Sequence, residues 1–95
     1  MGRFLLSPRA QKDLDNIWEF SAERWGEDRA ESYVRGLWAG ICAIADDPRR
    51  GHECEVRADY FQFSVGRHIL FFKRIDDGVS VIRTLHQSMD FGRHL

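Results

Sequence analysis

The sequence predicts an α+β domain: one short strand, a helical hairpin, then a three-stranded meander, with the helices on one face of a largely antiparallel sheet. Three observations predict it. Apolar residues recur at helical spacing over residues 8–48, the period changes to two from residue 61, and Gly66-Arg67 and Asp77-Gly78 mark tight turns that divide the second half into hairpins. With 95 residues, 43% hydrophobic and 13% aromatic, the chain can build one core and not two, so residues 1–95 are expected to form a single domain.

"RFLL" (3–6) is an apolar run that stops at "SP" and reads as the first strand. Ser7 suits an N-cap, and Pro8 suits the first helical position, where its missing N–H costs nothing. Ala10, Leu14, Ile17, Trp18, Ser21 and Trp25 then lay one stripe along a helix, and Gly26 supplies a C′ position. A second helix runs over 27–48, with Ala30, Tyr33, Val34, Leu37, Trp38, Ile41, Ile44 and Ala45 on its broad apolar face and Asp46, Asp47 and Pro48 at its end. So short a connection forces the two helices antiparallel. Gly36 and Gly40 each cost about 1 kcal/mol against alanine in a helix. They are either tolerated or mark a close approach.

"RRGHECEVRAD" (49–59) reads as a polar loop, and Phe61, Phe63 and Val65 then alternate with Gln62 and Ser64. "HILFFKRI" (68–75) has the near-continuous apolarity of a central strand, and "VSVIRTLHQ" (79–87) returns after Asp77-Gly78. Two-residue turns pair Val65 with His68, Phe63 with Leu70 and Phe61 with Phe72; across the second turn they pair Phe72 with Arg83, Leu70 with Leu85 and Ile69 with His86. Phe61, Phe63, Val65, Leu70, Phe72, Val81 and Leu85 then face the helices. Tyr60, Gln62, Ser64, Ile69, Phe71, Lys73, Ile82, Thr84 and His86 face away, and no further helix is expected to cover them. An uncovered apolar patch marks a partner site.

A formal charge of −1 and a pI of about 6.4 lack the basic excess of a protein held to phosphates by counterion release, so direct nucleic-acid binding is not expected. Cys42 and Cys54 form no disulfide framework; Cys42 is expected to be a small buried thiol in its helix, and both to be reduced in a cytoplasm. No leader-like or membrane-spanning apolar run is seen. His52, Glu53 and Cys54 lack the second ligand pair of a tetrahedral site, so no metal or other cofactor is expected. Trp18, Trp25 and Trp38 read mainly as core, with Trp38 the most exposed of the three.

"LSPRAQKDLDNIWEFSAERWGEDRAESYVRGL", "DDPRRG", "FSVGRHILFFKRIDDGVSVIRTLHQSMD" and the closing "RHL" resemble, in order and over nearly the whole chain, the ParE toxins of the ParE/RelE superfamily. These are the poison halves of bacterial type II toxin–antitoxin pairs. The resemblance implies the RelE/ParE-like fold, β-α-α-β-β-β with a curved sheet. It also implies a ParD-like antitoxin as partner in a hetero-oligomer, DNA gyrase as the target, arrested replication, and a role in plasmid or chromosome stability. Within it, the open face and helix grooves are expected to take the antitoxin, through Trp38, Tyr60, Gln62, Ile69, Phe71 and Ile82.

Relatives of RelE type are ribosome-dependent mRNA endonucleases, which makes catalysis the alternative. Cleavage at a 2′-OH needs a general base, a general acid and cations for the charged phosphorane. His86 stands where some nuclease relatives look to carry a catalytic histidine, and Arg67 and Arg83 are expected near it. Gln87, Ser88 and Met89 depart from the tyrosine or basic groups those relatives place next, so the chain is expected not to be an enzyme. Arg83, placed beside Phe61 and Phe72, must either find a carboxylate, with Asp13, Asp15 or Glu19 available, or stack on an aromatic ring. The tail "HQSMDFGRHL" (86–95) reads instead as a recognition segment, with His86, Gln87, Met89, Asp90 and Arg93 contacting the target. Deleting it is expected to leave a soluble fold.

Overall fold

The computed structural model describes residues 2–95. Arg3–Leu6 form β1, and Ser7 ends it by capping the first helix: its Oγ accepts from the Ala10 N–H at 3.0 Å and donates to the Ile82 carbonyl at 2.6 Å. Helix α1 (Pro8–Trp25) and α2 (Glu27–Asp46) share Gly26 as their joint, at φ 90°, where glycine carries no steric penalty. A 3₁₀ turn (Pro48–Arg50) leads to β2 (His52–Glu53), β3 (Phe61–Val65), β4 (His68–Ile75) and β5 (Gly78–His86), and a last short helix, α3, spans Phe91–His94. The sheet runs β1-β5-β4-β3-β2, with β1 parallel to β5 and the other pairs antiparallel. The expected α+β class holds, with β2 and α3 added to it.

Both long helices pack on one face. Leu14, Leu37, Ile41 and Ile44 meet Leu70, Phe72, Val79 and Val81, all at most 2% exposed, and these form the main core. Gly40 belongs to this contact, since a Cβ there would stand 2.6 Å from Val65 Cγ2 and 3.4 Å from Leu70 Cδ1. Gly36 meets nothing within 4 Å. Of these two helix glycines, Gly40 alone marks a close approach.

The β3–β4 register is the expected one, and the β4–β5 register is not. The turn is Asp76-Asp77, so Ile75 pairs with Gly78 and Phe72 with Val81; Ile82 then bulges out, and Phe71 pairs with Arg83, Leu70 with Thr84 and Ile69 with Leu85. Gly78 is a strand residue because β1 crosses it closely: a Cβ would stand 1.6 Å from the Arg3 carbonyl oxygen. The bulge reverses the faces beyond it, as an inserted residue must. Leu85 therefore turns away from the helices, and Thr84 and His86 turn toward them.

The face away from α1 and α2 is not open. Leu85 joins Cys54, Ile69 and Phe71 in a second core, packed under Tyr60, Phe91 and Leu95, with the Phe71 and Phe91 ring centroids 5.0 Å apart. The tail is held by its backbone too: Arg57 Nη1 donates to the Leu95 carbonyl and Arg83 Nη1 to the His94 carbonyl at 3.1 Å. Ile69 at 8% and Phe71 at 0% exposure are thus covered by the chain itself, which corrects their placement on a free partner surface. Deleting 86–95 would take Phe91 and Leu95 from above Phe71. Cys54 is the buried thiol and Cys42 the exposed one.

Candidate functional site

A groove of about 790 Å³ opens at one end of the molecule, between the C-terminal half of α1, the start of α2 and the β3–β4 turn. Its floor is a hydrogen-bonded chain set by Gly66. That glycine sits at φ 58° with the Tyr33 ring against it, a Cβ there meeting Tyr33 Cε1 and Oη at 2.9 Å, so glycine is required both by conformation and by space. Tyr33 Oη accepts from the Arg67 backbone N–H at 3.1 Å and shares a hydrogen bond with His68 Nδ1 at 2.6 Å.

A neutral His68 ring can accept the tyrosine proton at Nδ1. Burial, and then the neighbouring His86, push its pKa down from 6.5 to about 4. The two imidazoles stand perpendicular with centroids 5.2 Å apart. His86 Nδ1 accepts from the Ser88 N–H at 3.1 Å and lies 2.7 Å from Ser88 Oγ, so its ring N–H is on Nε2. Ser88 thereby orients His86.

The rim is aromatic and basic. Phe20 and Trp25 are 57% and 54% exposed, pack edge to face at 6.3 Å, and both rings lie under the Arg24 guanidinium at 5.4 and 5.8 Å. Trp25 is thus the exposed tryptophan, whereas Trp38 packs on Phe4 at 5.8 Å and belongs to the main core.

The alternative catalytic set is divided. Arg67 and His86 line the groove, but Arg83 does not. At the edge of β5 its Nε and Nη2 donate to the two carboxylate oxygens of Asp13 at 2.8 and 2.9 Å, which raises its pKa further. Asp13 is one of the three partners the sequence offered. Gln87, Met89, Asp90 and Arg93 are exposed along the docked tail, while His86 is half-buried in the groove. Tyr60 packs with the tail-side core and Trp38 with the helix-side core, so the residues expected for the antitoxin do not share one face. Among the described residues no three His, Cys, Asp or Glu side chains converge as metal ligands. No helix there is long and apolar enough to cross a membrane.

Sequence reading missed Phe20, Arg29, Tyr33 and His68 as neighbours in one groove. The available signal was Phe20, an aromatic residue off the buried stripe of α1.

Residues 4–91 match the family described as the ParE toxin of the type II toxin–antitoxin system parDE. The chain belongs to the ParE toxin family. Toxin ParE1 of Mycobacterium tuberculosis is 45% identical over 95 residues, covering 98% of this chain and 97% of that protein. Toxin ParE1 of Caulobacter vibrioides is 44% identical over 96 residues, covering 100% and 99%. In fold, the ParE-type chain superposes on a chain of the chromosomal ParDE system of P. aeruginosa with a TM-score of 0.79 at 14% identity, over 90% of this chain and 96% of that one. A conserved Helicobacter pylori protein gives 0.61 at 16% identity, over 93% and 97%. The E. coli DinJ–YafQ complex gives 0.51 at 17% identity, over 93% and 96%. The protein is a ParE-type toxin of a type II toxin–antitoxin system with the RelE/ParE-like fold.

Proposed function

We propose that this toxin is neutralised by a ParD-like antitoxin in the cytoplasm and, when free, inhibits DNA gyrase and so blocks replication, without catalysing a reaction of its own. The observation that carries the reading is the family match across residues 4–91, together with full-length relatives named as ParE toxins. The solved ParDE system supports a ParD-like partner. The state of Arg83 supports a binding role over a catalytic one, because a guanidinium held by both oxygens of Asp13 is not free to stabilise a phosphorane.

The target surface in this reading is the outer side of the docked tail, with Gln87, Met89, Asp90 and Arg93 exposed and His86 at its inner margin. The antitoxin contacts assigned to Trp38, Tyr60, Gln62 and Ile82 lie on separate faces, so one antitoxin reaching them must wrap the toxin, as a segment that folds on binding does. The second reading, a RelE-type ribonuclease, draws on the shared groove of His86, His68 and Arg67.

Expression of the chain alone, and together with its antitoxin, tests the reading. Growth arrest reversed by the antitoxin is expected, and Met89→Lys with Arg93→Glu should relieve the arrest without unfolding the protein. Arrest undiminished by those substitutions but abolished by His86→Ala would favour the ribonuclease.

A further inference from the structure

The groove beside His86 offers planar rings on one wall and cations on the other. Phe20 and Trp25, both more than half exposed, stand on the α1 side. Arg29 lies four residues before Tyr33 on α2 and so shares its helix face, while Arg67 follows Gly66 and gives its backbone N–H to Tyr33 Oη. Both guanidiniums therefore start beside one phenol. Neither has a carboxylate partner among the described residues, and no carboxylate lines the groove. His68, with its pKa at about 4, adds no charge at neutral pH. Asn16 and Ser32 complete the lining with an exposed amide and an exposed hydroxyl. At about 790 Å³ the groove has the size of a small-molecule site. One class of ligand answers all of these groups. Aromatic side chains stack on a nucleobase, an amide meets a base edge as both donor and acceptor, and guanidiniums take phosphate oxygens in pairs. An apolar ligand would leave Arg29 and Arg67 unanswered.

We propose that the groove binds a nucleotide, its base stacked at the Phe20–Trp25 wall with Asn16 at its edge, and its phosphate held between Arg29 and Arg67 beside Tyr33. The chemistry is the same for a free nucleotide and for the 5′-phosphorylated end of a strand, and the test separates the two. The ligand is bound and not cleaved. The site goes beyond the toxin reading and does not depend on it.

Fluorescence and NMR titrations of the full chain test it. The probes are the four ribonucleoside 5′-monophosphates, the four parent nucleosides, inorganic phosphate and a 5′-phosphorylated tetranucleotide. At least one monophosphate is expected to quench tryptophan emission and shift the Gly66 and Arg67 amides, with a Kd of about 1 mM or tighter. Its nucleoside and inorganic phosphate should each bind at least about tenfold more weakly, since each meets only one wall. Added salt should weaken the monophosphate more than the nucleoside, a comparison that needs no variant. Arg29→Gln with Arg67→Gln alters two exposed side chains, and Trp25→Ser an exposed ring; each should weaken the monophosphate at least about tenfold, while Arg9→Gln near the start of α1 should not. A tetranucleotide that binds no better than the monophosphate marks a site for free nucleotides, and one that binds at least about tenfold better marks a site for a strand end. Absence of any shift with every nucleotide at about 10 mM would overturn the proposal. Equal binding of the monophosphate to the native, arginine-substituted and Trp25→Ser chains would overturn it too, and either result leaves the toxin reading standing.

Discussion

Asp13 Oδ2 accepts two hydrogen bonds at once, from Arg83 Nε at 2.8 Å and from the Thr84 backbone N–H at 2.9 Å. One carboxylate of α1 thus closes the edge of β5 where β1 has ended, and through Arg83 it reaches the His94 carbonyl of the tail. Helix, sheet and tail meet at this pair, whose side chains are only 13–14% exposed.

Asp13→Ala should lower stability by about 2–4 kcal/mol, because it strands a nearly buried guanidinium and an edge amide together. Urea unfolding measures it. Asp13→Asn, which keeps an acceptor, should cost less, and a loss under about 0.5 kcal/mol for the alanine variant would show that the pair contributes nothing beyond a surface ion pair.

The His68 pKa, lowered from 6.5 to about 4, makes stability depend on pH. The folded state binds that proton less well than the unfolded chain, so this contribution is full above 6.5 and is lost as pH falls toward 4. NMR titration of the His68 ring should show the low value, and His86→Gln should move it upward by removing the second imidazole. A titration near 6.5 in the native protein would contradict the burial and hydrogen bonding described for His68.

Two glycines on one helix should answer alanine in opposite ways. Gly36→Ala, in open space, should stabilise by up to about 1 kcal/mol through helix propensity. Gly40→Ala puts a methyl 2.6 Å from Val65 Cγ2, and overpacking of this kind costs about 1–3 kcal/mol. Thermal melts of the two variants decide it.

Phe91→Ala should cost about 2–3 kcal/mol, since the ring covers Phe71 at 5.0 Å. It should also increase binding of a hydrophobic dye, whereas Met89→Ala, on the exposed side of the tail, should do neither. Equal behaviour of the two variants would mean that the tail does not shield the second core.

The local signals in the sequence were read correctly where one residue type had one physical meaning. Ser7-Pro8 opened α1, Gly26 separated the helices, and Gly66 made the turn that fixed the β3–β4 register. Asp77-Gly78 failed because a glycine can also answer a close approach: Gly78 serves the contact with Arg3, and the turn lies one residue earlier. The bulge at Ile82 left no mark in the alternating pattern, and it alone sent Leu85 to one face and His86 to the other. The covering tail was hidden for a related reason. "DFGRHL" is too short and polar to announce a packed element, and Phe91 gains its role only from Phe71 beneath it. The groove needed the helical hairpin and the Gly66 turn to meet in space, so its residues are scattered from Asn16 to His86.

Inhibition of gyrase is tested by a DNA supercoiling assay with the folded, antitoxin-free chain, scoring relaxed and linear plasmid. Supercoiling should be lost and cleaved plasmid should accumulate, with both effects reversed by the antitoxin. Unaffected gyrase, in the presence of a chain that still arrests growth, would contradict the gyrase reading.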